Sequence, residues 1–218
     1  MPKLDERLKA VARQIRARTH VDVGSDHGHL LKALLTAGRI EQGIAIENKQ
    51  QPYANSLAML DDLAGDVRFG DGLEPLVAGE ADSLSICGMG AESIVRILEC
   101  FPNRVPETVL LQPNRQPELV RAWALRAGFH LRDEQQAAGH WDYIILRFER
   151  ATESEDPAYL NVNLDSALLF GPWILKRGGH AFYESLREEE SYWSRFERLR
   201  PEQTHRLAVI RRVIQQRS

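Results

Sequence analysis

The chain has 218 residues, 43% of them hydrophobic and 27% charged, a composition that can bury a core and excludes the disordered and collagen-like classes. No run approaches the roughly 20 apolar residues of a membrane helix, MPKLDERLKAVARQ is too charged for a signal peptide, and Cys87 and Cys100 lack ligand-like spacing. A cytoplasmic protein with two buried thiols and no membrane, disulfide or metal site is expected, and its net charge of −3 is unevenly spread: +4 over residues 1–20, −10 over the middle and +3 over 187–218.

Leu4, Leu8, Val11, Ala12 and Ile15 recur at helical spacing, predicting an amphipathic helix over 3–18 with Arg7 and Arg13 among the basic residues of its other side. Short apolar runs then alternate with helical stretches. HVDVG (20–24) reads as a strand, LLKALLTAG (30–38) as a helix, GIAIE (43–47) as a strand and 50–60 as a helix. VRF (67–69) and SLSIC (83–87) are strands, ESIVRILECF (92–101) a helix, TVLLQ (108–112) a strand, and PELVRAWALRAG (117–128) a helix closed by Gly128. This rhythm predicts right-handed crossovers and a doubly wound α/β domain on a parallel sheet. FHLRDEQQ (129–136) and WDYIILRFER (141–150) have only AAGH between them, so an antiparallel hairpin should finish the sheet edge. A mostly parallel sheet ending in such a hairpin is the Rossmann-like pattern of class I methyltransferases.

ATESEDP (151–157) is acidic and ends in Pro157, which places a boundary between a domain over 1–150 and a helical domain over 158–218. In the latter, breaks at Gly171–Pro172 and Gly178–Gly179 precede a stripe of Phe182, Leu186, Trp193 and Phe196 along one helix over 181–199. Pro201 interrupts it, and Leu207, Ile210 and Ile214 form a second stripe. Two such helices predict an antiparallel, coiled-coil-like hairpin.

The turn after the first strand is DVGSDHG, Asp22 to Gly28, where Gly24 and Gly28 let a ligand approach bare backbone. A dinucleotide fingerprint would be G-x-G-x-x-G with its acidic residue only at the next strand end. Asp22, ahead of the first glycine, would instead meet a ligand that carries an ammonium group. Glu47 ends the second strand, 19 residues after Gly28, where ribose hydroxyls are bound. Asp71 follows the third strand, where a carboxylate can accept from an adenine amino group. Carboxylates at three consecutive strand ends point to S-adenosylmethionine, with Ser25, Asn48 and Gly72 beside them in the site.

SDHGHL, FGDGL, ICGMGAESI and LLQPN, with the first helix and the helical tail, resemble the bacterial tRNA adenine-N1 methyltransferases that modify the adenine at tRNA position 22. The resemblance follows the motif order over nearly the whole chain. It implies a Rossmann-like catalytic domain, a coiled-coil-like C-terminal domain, tRNA as substrate, and cofactor contacts at Gly88, Met89 and Gly90. An amino-methyltransferase would show an NPPY-like motif where GMG stands. Two positions depart from the family: it usually has tyrosine in place of His29 and glycine in place of Ala91.

Methylation of adenine N1 uses a free lone pair once the base is unpaired, so positioning can supply much of the acceleration. Asp26 is the candidate for compensating charge on the methylated ring or accepting from the adenine amino group. Asn114 is the candidate for the base edge, His29 for stacking on the base, and Gln112 and Pro113 for its surroundings. Arg7 and Arg13 at one end, and Arg206, Arg211 and Arg212 at the other, are candidates for phosphate contacts. The same fold acting on another substrate, or a tRNA-binding protein with a degenerate site, are the competing readings.

Overall fold

The computed structural model describes residues 4–25, 27–137 and 143–216. Asp26 and most of the AAGH turn lie outside these described residues. The chain divides into two units, Met1–Asp156 and Pro157–Ser218.

In the first unit the elements are α1 (Glu6–Gln14), β1 (Thr19–Val23), α2 (His29–Thr36), β2 (Gln42–Glu47), α3 (Gln50–Leu60) and β3 (Gly65–Phe69). There follow β4 (Ser83–Met89), α4 (Ala91–Cys100), β5 (Thr108–Pro113), α5 (Pro117–Ala127), β6 (Phe129–Ala137) and β7 (Tyr143–Arg150). The seven strands form one sheet in the order β3-β2-β1-β4-β5-β7-β6. The first five are parallel, and β7 runs antiparallel between β5 and β6. All five residues of β1 are buried, as a strand with parallel partners on both sides and helices above and below requires. Helices α1, α2 and α3 pack on one another in succession, and α4 packs on α5. That separation follows from right-handed crossovers running outward from β1 and β4 in opposite directions. The strand order reverses between β1 and β4, which opens a crevice at their C-terminal ends.

Local chemistry sets several element ends. Asp5 Oδ1 accepts from Leu8 N at 2.7 Å and caps α1. The helix stops at Gln14, short of the expected 3–18, because Ile15 turns extended and is buried. Arg39 then donates to the carbonyls of Ile15 (2.8 Å) and Arg13 (2.7 Å), taking the place of further helical turns. Gly128 closes α5 in the left-handed conformation at φ 71°. A buried ion pair, Arg121 Nη2 to Glu134 Oε1 at 2.7 Å, ties α5 to β6. Against the expectation of two buried thiols, Cys87 is only partly buried and Cys100, ending α4, is exposed.

The second unit contains α6 (Leu164–Phe170), α7 (Pro172–Arg177), α8 (His180–Trp193) and α9 (Pro201–Gln215). Helices α8 and α9 pack together, and α6 packs on α9. Phe170, Leu186, Val209, Ile210 and Val213 form the core, with Phe182 and Ile214 against it. The stripe expected to run to Leu199 ends with α8 at Trp193, and Phe196 is exposed. Among the described residues no helix is long and apolar enough to cross a membrane.

Candidate active site

Asp22 lies buried on β1, and its Oδ1 accepts from Ser85 Oγ of β4 at 2.5 Å. Behind it the His20 ring spans Ser83 Oγ (2.7 Å from Nδ1) and Ser85 Oγ (2.9 Å from Nε2). With Ser85 Oγ–H donating to Asp22, Ser85 accepts from His20 Nε2–H, which leaves Nδ1 to accept from Ser83. Burial lowers the His20 pKa to about 3, which keeps the ring neutral. Burial also raises the Asp22 carboxyl above its ordinary value, against the bond from Ser85 and the charge of Arg7. A buried carboxyl held this way gains from a cation placed beside it.

The next residues give up side chains where the ligand must pass. Gly24 has φ +68°, and a Cβ there would stand 2.3 Å from Met89 Cε. Its N–H donates to Ile46 O at 2.8 Å, fixing the turn to β2. At the end of β2 the buried Glu47 accepts from Ser56 Oγ at 3.4 Å. Asn48 Nδ2 donates to Asp71 Oδ1 at 3.4 Å, and Asp71 Oδ2 pairs with Arg96 at 3.1 Å. The bond from Arg96 holds the Asp71 carboxyl below the usual range.

The GMG and QPN turns are bound to one another. Gly88 N–H donates to Gln112 Oε1 at 3.0 Å, and Asn114 Nδ2 donates to Gly88 O at 2.7 Å. Gln112 Oε1 also accepts from Arg7 Nη1 at 2.7 Å, and its Nε2 donates to Asn114 Oδ1 at 3.3 Å. The Arg7 guanidinium lies 5.6 Å from the centre of the Tyr143 ring.

These elements enclose a cavity of about 680 Å³ at the C-terminal ends of β1, β2, β4 and β5. Of the expected cofactor residues, Asp22, Gly24, Ser25, Glu47, Asn48 and Met89 line it, with Gly88 beside Met89. His29, Asn114 and Arg7 line it too. The buried Nδ1 of His29 has no hydrogen-bond partner among the described residues. A second cavity of about 380 Å³ is lined by Gly90, Asn114, Arg115 and Tyr143, so Asn114 and Tyr143 face both spaces.

The structure redistributes several expected residues. Gly28 caps α2 at φ 69° and is buried. Asp71 and Gly72 stand outside the cavity lining, and Asp71 reaches it only through Asn48. Gln112 and Pro113 are buried rather than presented to a substrate. Arg13 is exposed on α1, away from the cavity lining. In the helical unit Arg206 pairs with Glu189, Arg211 with Glu190 (3.0 Å) and Arg212 with Asp165 (3.3 Å). Glutamates of α8 face Arg206 and Arg211 across the hairpin and Asp165 of α6 faces Arg212, so pairing within the chain replaces the free basic face expected there. Sequence reasoning missed Tyr143, His27 and Lys49 in the cavity wall. The aromatic position opening the second hairpin strand was the available signal for Tyr143. Among the described residues no group of His, Cys, Asp and Glu side chains is arranged to hold a metal ion.

The sequence matches the tRNA (adenine(22)-N(1))-methyltransferase family over residues 20–217. It is 28% identical over 197 residues to the tRNA (adenine(22)-N(1))-methyltransferase of Bacillus subtilis, covering 86% of this chain and 81% of that one. The crystal structure of the B. subtilis m1A22 tRNA methyltransferase TrmK superposes with a TM-score of 0.83 at 26% identity, over 98% of this chain and 100% of that one. Streptococcus pneumoniae Sp1610, a putative tRNA (m1A22) methyltransferase in complex with S-adenosyl-L-methionine, superposes with a TM-score of 0.82 at 25% identity, over 97% and 100%.

Proposed function

Since the chain belongs to the tRNA (adenine(22)-N(1))-methyltransferase family, we propose that its large cavity binds S-adenosylmethionine and that the Asn114–Tyr143 wall presents the adenine. The protein is an S-adenosylmethionine-dependent tRNA methyltransferase acting on adenine N1. A tRNA substrate implies work in the cytoplasm.

The observation that carries the reading is a buried, cation-seeking Asp22 beside the bare backbone of Gly24. The cavity volume suits a nucleoside-sized ligand. Asp22 would face the ammonium group, Glu47 the ribose hydroxyls, and Asn48, braced by Asp71, the adenine end. When bound, S-adenosylmethionine supplies a sulfonium methyl for in-line displacement by the N1 lone pair, so no residue has to remove a proton first.

The chain's remaining work is to hold the base. Its extrusion costs a few kcal/mol of unstacking. Tyr143 offers an aromatic face, which supports giving it the stacking role in a chain that has His29 where the family usually has tyrosine. Asn114 spends one amide hydrogen on Gly88 O, and its second hydrogen can meet the base edge. Gln112 acts as a positioning residue that sets Arg7, Gly88 and Asn114. Asp26 keeps the role of charge compensation on the methylated ring.

The test is incubation of the purified protein with labelled S-adenosylmethionine and tRNA lacking the modification. Label should appear on N1 of an adenine and vanish when adenine 22 is replaced. Retained cofactor binding with no label in tRNA would overturn the substrate assignment.

A further inference from the structure

Where α8 ends and α9 begins, the helical unit has a hollow of about 560 Å³ lined by Tyr192, Trp193, Phe196, Arg198, Leu199 and Arg200. Tyr192 and Phe196 are about half exposed, at 51% and 47%. Their rings meet at 5.2 Å between centroids and 62° between planes, and Tyr192 meets Trp193 at 4.9 Å and 75°. Trp193 Nε1 donates to Glu189 Oε1 at 3.1 Å, which fixes the indole. The unit's core is assembled from Phe170, Leu186, Val209, Ile210 and Val213, so the exposed rings do not serve it.

The charge around these rings is specific. Residues 195–200 contain Arg195, Arg198 and Arg200 against Glu197 alone, a net +2. Among the described residues none of the three arginines makes an ion pair, whereas Glu189 and Glu190 are neutralised by Arg206 and Arg211. Aromatic faces flanked by unpaired guanidinium groups match a nucleotide whose base is free to stack and whose phosphates are anionic.

We propose that this hollow is a stacking subsite for an unpaired base of the tRNA substrate, with Tyr192 and Phe196 against the base and Arg198 and Arg200 on its phosphates. The proposal rests on the tRNA reading above and moves the RNA contact of the helical unit from Arg206, Arg211 and Arg212 to the α8–α9 turn. An apolar surface covered by a second copy of the chain would not need two arginines without ion pairs, Arg198 and Arg200, in its lining.

The experiment compares the full-length protein with Tyr192→Ala/Phe196→Ala and Arg198→Ala/Arg200→Ala. Binding of unmodified tRNA is followed by fluorescence anisotropy over a range of salt, with S-adenosylmethionine affinity and sedimentation measured alongside. The aromatic pair should weaken tRNA binding by roughly ten- to a hundredfold at unchanged salt slope. The arginine pair should flatten the slope of log affinity against log salt by about 1.4, at about 0.7 per phosphate contact. Cofactor affinity should hold in both, and Tyr192→Phe should bind like the parent. Unchanged tRNA affinity in the aromatic variant overturns the proposal, and a shift confined to self-association gives the hollow to a second copy. Methyl transfer to tRNA by the parent protein is scored separately. Transfer without sensitivity of binding to the hollow sinks only the subsite, whereas hollow-dependent binding without transfer sinks only the enzymatic reading.

Discussion

Replacing Gln112 by alanine separates a scaffold role from contact with the substrate. The side chain is fully buried and accepts from both Gly88 N–H (3.0 Å) and Arg7 (2.7 Å). Truncation takes the acceptor from the Gly88 N–H, and because Gly88 is exposed and water can replace it, the loss is about 1 kcal/mol. Arg7 can partly resolvate because its side chain is 20% exposed, so losing that bond adds about 1 kcal/mol. The space left behind adds about 1 kcal/mol more. A total near 3 kcal/mol should lower the Tm by about 6–12 °C for a chain of this size. Thermal unfolding followed by circular dichroism reads this directly. Methylation assays should show kcat falling, because Arg7 and Asn114 lose their common anchor. A variant that melts with the parent yet loses tRNA affinity would refute the scaffold reading and return Gln112 to the substrate.

Three further outcomes are expected. Because burial raises the Asp22 carboxyl in the ligand-free protein, lowering the pH through that raised value protonates it and removes the charge that would face the ammonium. Affinity for S-adenosylmethionine should therefore be level above that value and fall by roughly tenfold per pH unit below it; calorimetry on Asp22→Asn should give weak, pH-flat binding, and an undiminished slope would assign the titration elsewhere. Glu47→Ala should weaken cofactor binding by about 1–3 kcal/mol, and calorimetry giving the parent's affinity would remove it from the site. Arg121→Met strands the buried Glu134 and should cost about 3–5 kcal/mol of stability, most of it recovered in Arg121→Met/Glu134→Met. Denaturant titrations giving equal losses in the single and double variants would refute that coupling.

What was legible in the sequence is what depends on neighbours along the chain. Continuous apolar runs such as GIAIE and TVLLQ announce buried parallel strands, and Gly128 marks a helix end because no other residue takes its backbone conformation so cheaply. Asp22 and Glu47 could be placed because strand ends in such sheets share one edge. The rest depends on partners far away in sequence. Gln112 looks like a polar residue available to a ligand until Arg7, 105 positions earlier, is found bonded to it. Tyr143 enters the cavity only because β7 inserts between β5 and β6. Arg206 and Arg211 of α9 look free until the hairpin sets the glutamates of α8 opposite them, and the early end of α1 depends on Arg39, 24 residues beyond Ile15.

The bond between Arg7 and Gln112 also orders events during synthesis. Gln112 emerges about 105 residues after Arg7, roughly 5–20 s at translation speeds of about 5–20 residues per second. Throughout that interval, and until β6 and β7 follow, Val11 and Ile15, buried in the finished protein, lack the hairpin on which α1 packs. One wall of the cavity is thus made from a segment that emerges well before its partners and is completed only when β7 delivers Tyr143. A chain stalled before that point could already hold β1, β2 and β4 with their acidic strand ends and still lack the wall that receives a base. Competence for transfer would therefore lag behind competence to bind the methyl donor as the polypeptide grows.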